Sequence, residues 1–414
     1  MLLEINNSLV QFYFHETDVN YIYSELSLFK LFIARNEFSI AHYHLQKAEK
    51  RAITINDFLL LDVIYSEFVQ LSTYYGNTKP TVYLQKRSDN NKQLTAIRML
   101  DEALTIMLYE LDRNQTFGQS NTQTTKQLNT AIKRFESQKE YNNNTAFKAK
   151  LFLAVSQLLI SKKDFKTLEA YTIKVFTEFS SKKYFTKSNH DIKLQMLRYI
   201  CNALFINKKH TEALNYCKLF YTAIKEHNKL LYDKNIFFYY NALANNYSAL
   251  DPQKAVSVLN EAKKNKAIIN HPSHLGFVYF NLAGAYFELK QPKIALKNIL
   301  SIINHPVFNN LSSEFKIQIL IFEILHRIEL KDLDYALKQI NILLKTYRIF
   351  LILPDFTLEN ELLRLLKLLI LKHNFMKNKI SEKLVLNFDS YIKSKTSKIF
   401  VNYSKWLKEH LIQN

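Results

Sequence analysis

Glycine and proline are almost absent from this chain, which has four of the first and six of the second among 414 residues. Their combined share is about 2%, against about 12% in an average protein. Hairpin-rich sandwiches, barrels and propellers need these residues at their turns, so the shortage argues against such folds. The glycines are also too scattered for a phosphate-binding loop. We therefore expect an all-α protein.

The rest of the composition is typical of a folded chain. Hydrophobic residues make up 48% and charged residues 22%, so the chain can bury a core and is not expected to be disordered. No apolar run is long enough to span a membrane, and the first residues lack the basic charge of a secretory signal. We expect a soluble cytoplasmic protein.

The net charge of +19 allows several kinds of partner. Nucleic acid, anionic lipid and acidic proteins are all attracted by such a surface. The alternative is compositional, because the chain is rich in Lys, Asn, Ile, Tyr and Phe, as expected from an AT-rich genome. The basic residues are also spread along the sequence rather than concentrated in one tail.

Helical periodicity covers most of the chain and is interrupted by short polar stretches. The breaks fall at 207–209, 251–252, 271–272, 291–292 and 331–332. Three of them place a proline where a helix would start, since the missing N–H of proline costs nothing in the first turn. Segments of about 15–20 residues with short connections predict antiparallel neighbouring helices.

An internal repeat accompanies these breaks. Alanines recur at spacings of 42, 40 and 41, at Ala213, Ala255, Ala295 and Ala336. Before each of the second and third alanines stands the pattern Tyr-x2-Leu-Ala-x2-Tyr, beginning at Tyr240 and Tyr279. Weaker copies precede Ala213 and surround Ala41, and one begins at Phe152. A small residue on one helix facing an alanine on the next would let two helices approach closely.

This pattern resembles the tetratricopeptide repeat (TPR) family, although the period of about 41 exceeds the 34 of that family. The resemblance implies a right-handed α-solenoid of antiparallel helix pairs. Another helical solenoid or a plain helical bundle is the alternative. We expect an irregular helical region at 1–150, a regular array at 151–345 and capping helices at 346–414.

The irregular region is expected to hold one TPR-like pair and two polar loops. The loops are predicted at 76–92 and 113–128, on either side of an amphipathic helix from Ala96 to Leu111. Near the other end of the chain, a charged helix from Lys393 to His410 would suit a solenoid cap. The only tryptophan, Trp406, is expected to pack in that cap.

No motif for catalysis or metal binding stands out. The chain lacks the GxSxG, HExxH, Walker A and CxxC patterns, so we expect no enzyme activity, no cofactor and no metal. His42 and His44 would point to different helix faces, and His271 with His274 lacks a third ligand. Cys201 and Cys217 occupy facing positions of one repeat, so their thiols are expected to lie close together in the core.

The TPR resemblance implies a peptide-binding groove. In that family the concave face is lined by first-helix residues one and five places after the large residue. Here those positions carry hydrogen-bonding side chains in two repeats, namely Arg198, Asn202, Asn241 and Asn245. Arginine can bind a carboxylate through two hydrogen bonds, and asparagine can pair with a peptide backbone.

The third repeat departs from this polar pattern. The same positions hold Phe280 and Gly284, and Phe287 follows on the same helix face. The groove would then be polar at one end and aromatic at the other, and it would suit a peptide with an acidic or polar end and an apolar anchor. The alternative is that the polar residues form an ordinary solvated inner surface.

These features lead to three functional hypotheses. The first is a non-catalytic scaffold that binds a peptide or a partner helix in the groove. The second is a peptide sensor that acts through its N-terminal region. The third is a basic helical-repeat protein that binds nucleic acid through lysine clusters at loops and helix ends, including Lys263, Lys264 and Lys266.

Overall fold

A computed structural model describes residue 4 and residues 18–113, 145–353, 356–371, 383, 386–387 and 406–409. Within these residues the secondary structure is helical, with no strand. The all-α prediction is therefore confirmed. Most of the predicted loop 113–128 and most of the predicted final helix lie outside the described residues.

The chain divides into two compact units, Met1–Met196 and Leu197–Asn414. Within its described residues the first unit contains six complete helices: α1 (Asp18–Ala34), α2 (Phe38–Ile55), α3 (Phe58–Leu71), α4 (Pro80–Arg113), α5 (Thr145–Ser161) and α6 (Phe165–Ser181). A short 3-10 turn (Lys187–Asn189) follows them. Helix α7 (His190–Ile206) contains the boundary between the units.

The second unit contains the remaining helices of the described part of the chain, which alternate with short connections. They are α8 (His210–Lys229), α9 (Tyr232–Leu250), α10 (Pro252–Ala262), α11 (Lys266–Ile269), α12 (Pro272–Glu288), α13 (Pro292–Ile303), α14 (Ser313–Glu329), α15 (Leu333–Thr346), α16 (Arg348–Leu351) and α17 (Thr357–Leu371). A 3-10 turn (Pro306–Asn310) precedes α14. The predicted divisions at 150 and 345 stay predictions.

The predicted helix starts are confirmed. Helices α10, α12 and α13 begin at Pro252, Pro272 and Pro292. Aspartate caps two further starts: the side chain of Asp57 accepts the N–H of Leu60, and that of Asp164 accepts the N–H of Thr167. These caps satisfy backbone donors that the first helical turn leaves open.

Lysine occupies several of the tight turns where glycine is usual. The backbone at Lys208, Lys290 and Lys331 has φ of 62°, 57° and 60°, between α7 and α8, α12 and α13, and α14 and α15. This left-handed conformation costs a residue with a Cβ roughly 1–2 kcal/mol. The chain tolerates that cost at equivalent turns because it has so little glycine.

The repeated alanines lie where two helices pack most closely. Ala213, Ala255, Ala295 and Ala336 are all completely buried. The positions that precede them on the first helix of each pair, Cys201, Ala244, Ala283 and Ile324, are also completely buried. The predicted helix-pair repeat is therefore observed in the second unit.

One predicted loop is wrong over most of its length. Residues 80–92 form the first part of helix α4 and not an extended loop. Although its sequence is polar, this segment has one buried side, where the Asn90 amide donates to the carbonyl of Phe58 at 2.8 Å. Leu94 and Leu100 continue this buried side, and Leu100 lies in the part of the helix that the sequence did predict.

The two cysteines lie as predicted. Their Sγ atoms are 3.7 Å apart, and both side chains are fully buried as free thiols. Their mutual hydrogen bond and the burial raise the pKa of the Cys201 thiol well above its ordinary value. The Cys201 thiol is therefore neutral, and both cysteines are core residues.

Trp406 also lies as predicted. It is 1% exposed and belongs, with Leu407, to the hydrophobic cluster formed mainly by α14, α15 and α17. An ion pair between Lys290 and Glu409 holds the same segment against the turn after α12. A short piece near the end of the chain thus covers part of α14.

A search of the described helices finds none with the length and apolar character that crossing a membrane requires.

Candidate binding surface

The first helices of three successive pairs bring polar side chains together in the second unit. Helix α7 contributes Arg198 and Asn202, α9 contributes Asn241 and Asn245, and α12 contributes Asn281. Asn202 is exposed and the other four are half-buried. We call these five residues the amide surface. Four of them were predicted from the sequence, and Asn281 was not.

The α7 side of this surface is organised by a cation–π contact. The guanidinium carbon of Arg198 lies 4.4 Å from the ring centre of Phe238 on α9. Stacking on a ring leaves the N–H groups at the edge of the guanidinium able to bind a carboxylate. The sequence did not single out Phe238, although it stands three residues before Asn241.

An amide–amide hydrogen bond joins the other two helices. Asn281 donates from Nδ2 to Oδ1 of Asn241, over 2.8 Å. This bond uses the carbonyl oxygen of Asn241 and an N–H of Asn281. Asn241 therefore still offers N–H groups, and Asn281 still offers a carbonyl oxygen. A donor and an acceptor on neighbouring helices match the alternating N–H and C=O groups of an extended peptide.

Buried contacts hold α9 in the orientation that exposes these asparagines. Asn246, beside Asn245, is fully buried, and its Nδ2 donates to the carbonyl of Ala242 at 2.8 Å. Its Oδ1 lies 3.0 Å from Nδ1 of His210 at the start of α8. One of two adjacent asparagines therefore fixes the helix pair while the other reaches the surface.

Phe280 does not face a groove, and the sequence prediction for it is wrong. It is 2% exposed, and its ring lies 5.2 Å from that of Phe315 and 5.7 Å from that of Phe322. The large ring is drawn into the core between α12 and α14. The exposed line of α12 therefore passes through Asn281, one residue later.

Phe287 is half-buried at the other end of α12. Its ring lies 5.4 Å from Phe322 and 5.2 Å from His326. It packs against the same hydrophobic cluster that contains Trp406. The end of the groove that the sequence predicts to be aromatic is thus largely filled by the protein's own core.

Gly284 leaves open space beside Asn281, one helical turn further along α12. A Cβ built at this glycine would meet nothing within 4 Å. The sequence pattern identified this position as part of the groove but could not show that it is open. No sequence signal identified Asn281, which stands one residue after the position that the repeat pattern selected.

The histidines considered as metal ligands have other contacts. Nδ1 of His44 lies 2.6 Å from Oε2 of Glu25, while His42 packs edge-on to Phe68. His274 stacks on Phe237 with ring centres 4.1 Å apart, and burial lowers its pKa. His271 lies nearby, with its ring centre 5.2 Å from that of His274.

One comparison with known proteins identifies a similar fold. No family model matches the chain, and no curated protein matches it. Among solved structures it is similar to the crystal structure of the apo form of RapI, with a TM-score of 0.52 and 12% identity. The match covers 90% of this chain and 86% of that one. At this identity the similarity shows a shared helical-repeat fold.

Proposed function

We propose that this protein is a non-catalytic, TPR-like interaction protein that binds an extended peptide segment of a partner along the amide surface. The hydrogen bond between Asn241 and Asn281 is the observation that carries the proposal. It positions a free amide donor and a free carbonyl acceptor on neighbouring helices. An unfolded peptide presents the complementary groups along its backbone.

Arg198 gives the proposed ligand a direction. The ring of Phe238 supports the guanidinium from one face, so its edge is preorganised for a carboxylate. An acidic side chain or a terminal carboxylate would bind at α7, and the backbone would continue across α9 to the open space at Gly284. The fold similarity and the repeated helix pairs support a binding role of this kind.

The buried free thiols of Cys201 and Cys217 support a reducing location such as the cytoplasm. The lack of a recognised catalytic motif in the sequence supports the non-catalytic part of the proposal. The groove would be shorter than the sequence pattern implied, because the protein's own residues fill the space near Phe287.

Selection from a random peptide library tests this proposal. We expect the selected peptides to be enriched in acidic residues and to lose binding at least tenfold in the double variant Arg198→Glu, Asn245→Ala. The matched control is Lys297→Glu, Asn341→Ala, which makes similar changes at exposed positions of α13 and α15. Equal losses in both variants, or none in the first, would reject the amide surface as the site.

A further inference from the structure

Lysine ammonium groups lie over tyrosine rings in the part of the second unit that connects one helix pair to the next. Nζ of Lys225 is 3.9 Å from the ring centre of Tyr221, at the end of α8. Nζ of Lys263 is 4.8 Å from the ring centre of Tyr279, between α10 and α12. A third pair, between α8 and α9, joins Lys229 to Tyr232 at 5.8 Å.

Further tyrosine rings lie beside the first of these pairs. Tyr221 stacks on Tyr239 with ring centres 4.7 Å apart, and Tyr239 lies 5.2 Å from Tyr240. The hydroxyl of Tyr232 accepts a hydrogen bond from Nδ2 of Asn265, at 3.0 Å. That bond ties the start of α9 to the lysine-rich segment between α10 and α11. We call this group of lysines and tyrosines the lysine–tyrosine edge.

The lysine–tyrosine edge is basic and open to solvent. Residues 225–234 and 261–266 together hold six lysines and three acidic residues. Lys225, Lys229, Lys264 and Lys266 are exposed, and Lys263 is half-buried. Among the acidic residues, Asp233 and Glu261 are exposed as well, so they reduce the positive charge but do not cancel it.

We propose that the lysine–tyrosine edge binds single-stranded nucleic acid, as a second binding surface of the protein. Lysines neutralise backbone phosphates, and tyrosine faces stack with bases. Here an ammonium group already rests on each of three ring faces. A base can displace it from the ring, and the released ammonium group then contacts the neighbouring phosphate.

The rings determine which nucleic acid fits. In a duplex the base faces are stacked on one another and cannot reach a side-chain ring, whereas a single strand can splay its bases. Charge alone would hold any polyanion equally well. The interleaving of rings and lysines therefore favours a single strand over a duplex and over inorganic polyphosphate. None of these residues belongs to the amide surface.

Fluorescence anisotropy with a labelled 20-nucleotide oligo(dT) tests the proposal on the full chain. If about five lysines contact phosphates, the affinity should fall roughly a hundredfold between 50 and 200 mM salt, from a slope of about −0.7 per phosphate. In the triple variant Lys225→Gln, Lys263→Gln, Lys266→Gln, the affinity should fall only roughly sevenfold over the same salt range. An abasic oligonucleotide of equal length should bind at least tenfold more weakly.

The matched control is Lys293→Gln, Lys297→Gln, Lys338→Gln, which removes the same charge from exposed lysines of α13 and α15. Circular dichroism melts would verify that both variants fold. The proposal predicts that the control keeps the affinity and salt dependence of the natural protein. If both variants bound the oligonucleotide equally weakly, net charge would explain the binding and the proposal would be overturned. Equal binding of the abasic strand would overturn the stacking.

Discussion

The indole Nε1 of Trp406 donates a hydrogen bond to Oε1 of Glu329 over 2.7 Å, and it joins residues that are 77 positions apart. The bond fixes a buried ring near the end of the chain to the last turn of α14. Because Trp406 is the only tryptophan, its fluorescence reports on this single contact.

Trp406→Phe should lower the free energy of unfolding by about 2 kcal/mol, since the variant loses a charge-assisted hydrogen bond and part of a packed ring. Urea denaturation followed by circular dichroism measures this change. Glu329→Gln keeps an acceptor for the indole and should cost less. A Trp406→Phe variant as stable as the natural protein would show that the segment 406–409 does not contribute to the fold.

His326 makes the stability depend on pH. Its ring is fully buried, with its centre 4.2 Å from the ring centre of Phe322, and burial lowers its pKa to about 4. In the unfolded chain the pKa is about 6.5. The unfolded state therefore binds this proton first, so stability is full above pH 6.5 and falls as the pH drops towards 4. The total effect is about 3 kcal/mol.

Urea titrations between pH 7 and pH 4.5 measure that dependence. His326→Leu should reduce the slope in this range, whereas His271→Gln, a change at an exposed histidine, should alter it much less. Glu323 and Glu329 are the acidic groups nearest to His326 on α14, and each should be retained in both variants. A slope as steep in His326→Leu as in the natural protein would contradict the assignment.

Substitutions at Gly284 should change stability and peptide binding independently. Gly284→Ala should stabilise the protein by about 1 kcal/mol, because alanine is the better helix former and its Cβ meets nothing within 4 Å. Gly284→Leu should be similarly stable but should block the space beside Asn281. Thermal melts and peptide titrations of the two variants measure these effects. If Gly284→Leu bound selected peptides as well as the natural protein, the ligand would not pass Gly284.

Lys331 offers a test of the turn conformation. With φ at 60°, Lys331→Gly should raise the free energy of unfolding by about 1 kcal/mol, since glycine adopts this conformation without strain. Lys338→Gly lies inside helix α15 and should lower it by about the same amount. Urea denaturation of the two variants should show changes in the free energy of unfolding of opposite sign. A loss of stability in both would mean that the Lys331 side chain makes a stabilising contact.

The regular features of the fold were predictable because they depend on local chemistry. Prolines at 252, 272 and 292 start helices since their rings fit only the first turn. The alanines at a spacing of about 41 are buried in successive helix pairs, as a small residue in the core predicts. Cys201 and Cys217 meet because they occupy facing positions of one helix pair.

The failures have a different origin, in contacts made between helices. Residues 80–92 contain few apolar side chains, yet Asn90 anchors this part of α4 through a hydrogen bond to α3. Phe280 occupies a position that is polar in the preceding repeat, but its ring is more stable among Phe315 and Phe322. Counting along one helix could not reveal how far α12 turns to bury that ring, so Asn281 was missed.

The most direct test is a photo-crosslinking residue placed, in separate variants, at Asn202, Asn245, Lys297 and Lys338 of the full chain. After illumination in a native lysate, mass spectrometry identifies the crosslinked peptides. We expect one partner segment to crosslink to both amide-surface positions and to neither position on α13 or α15. Crosslinks of equal yield at all four positions, or at Lys297 and Lys338 alone, would contradict it.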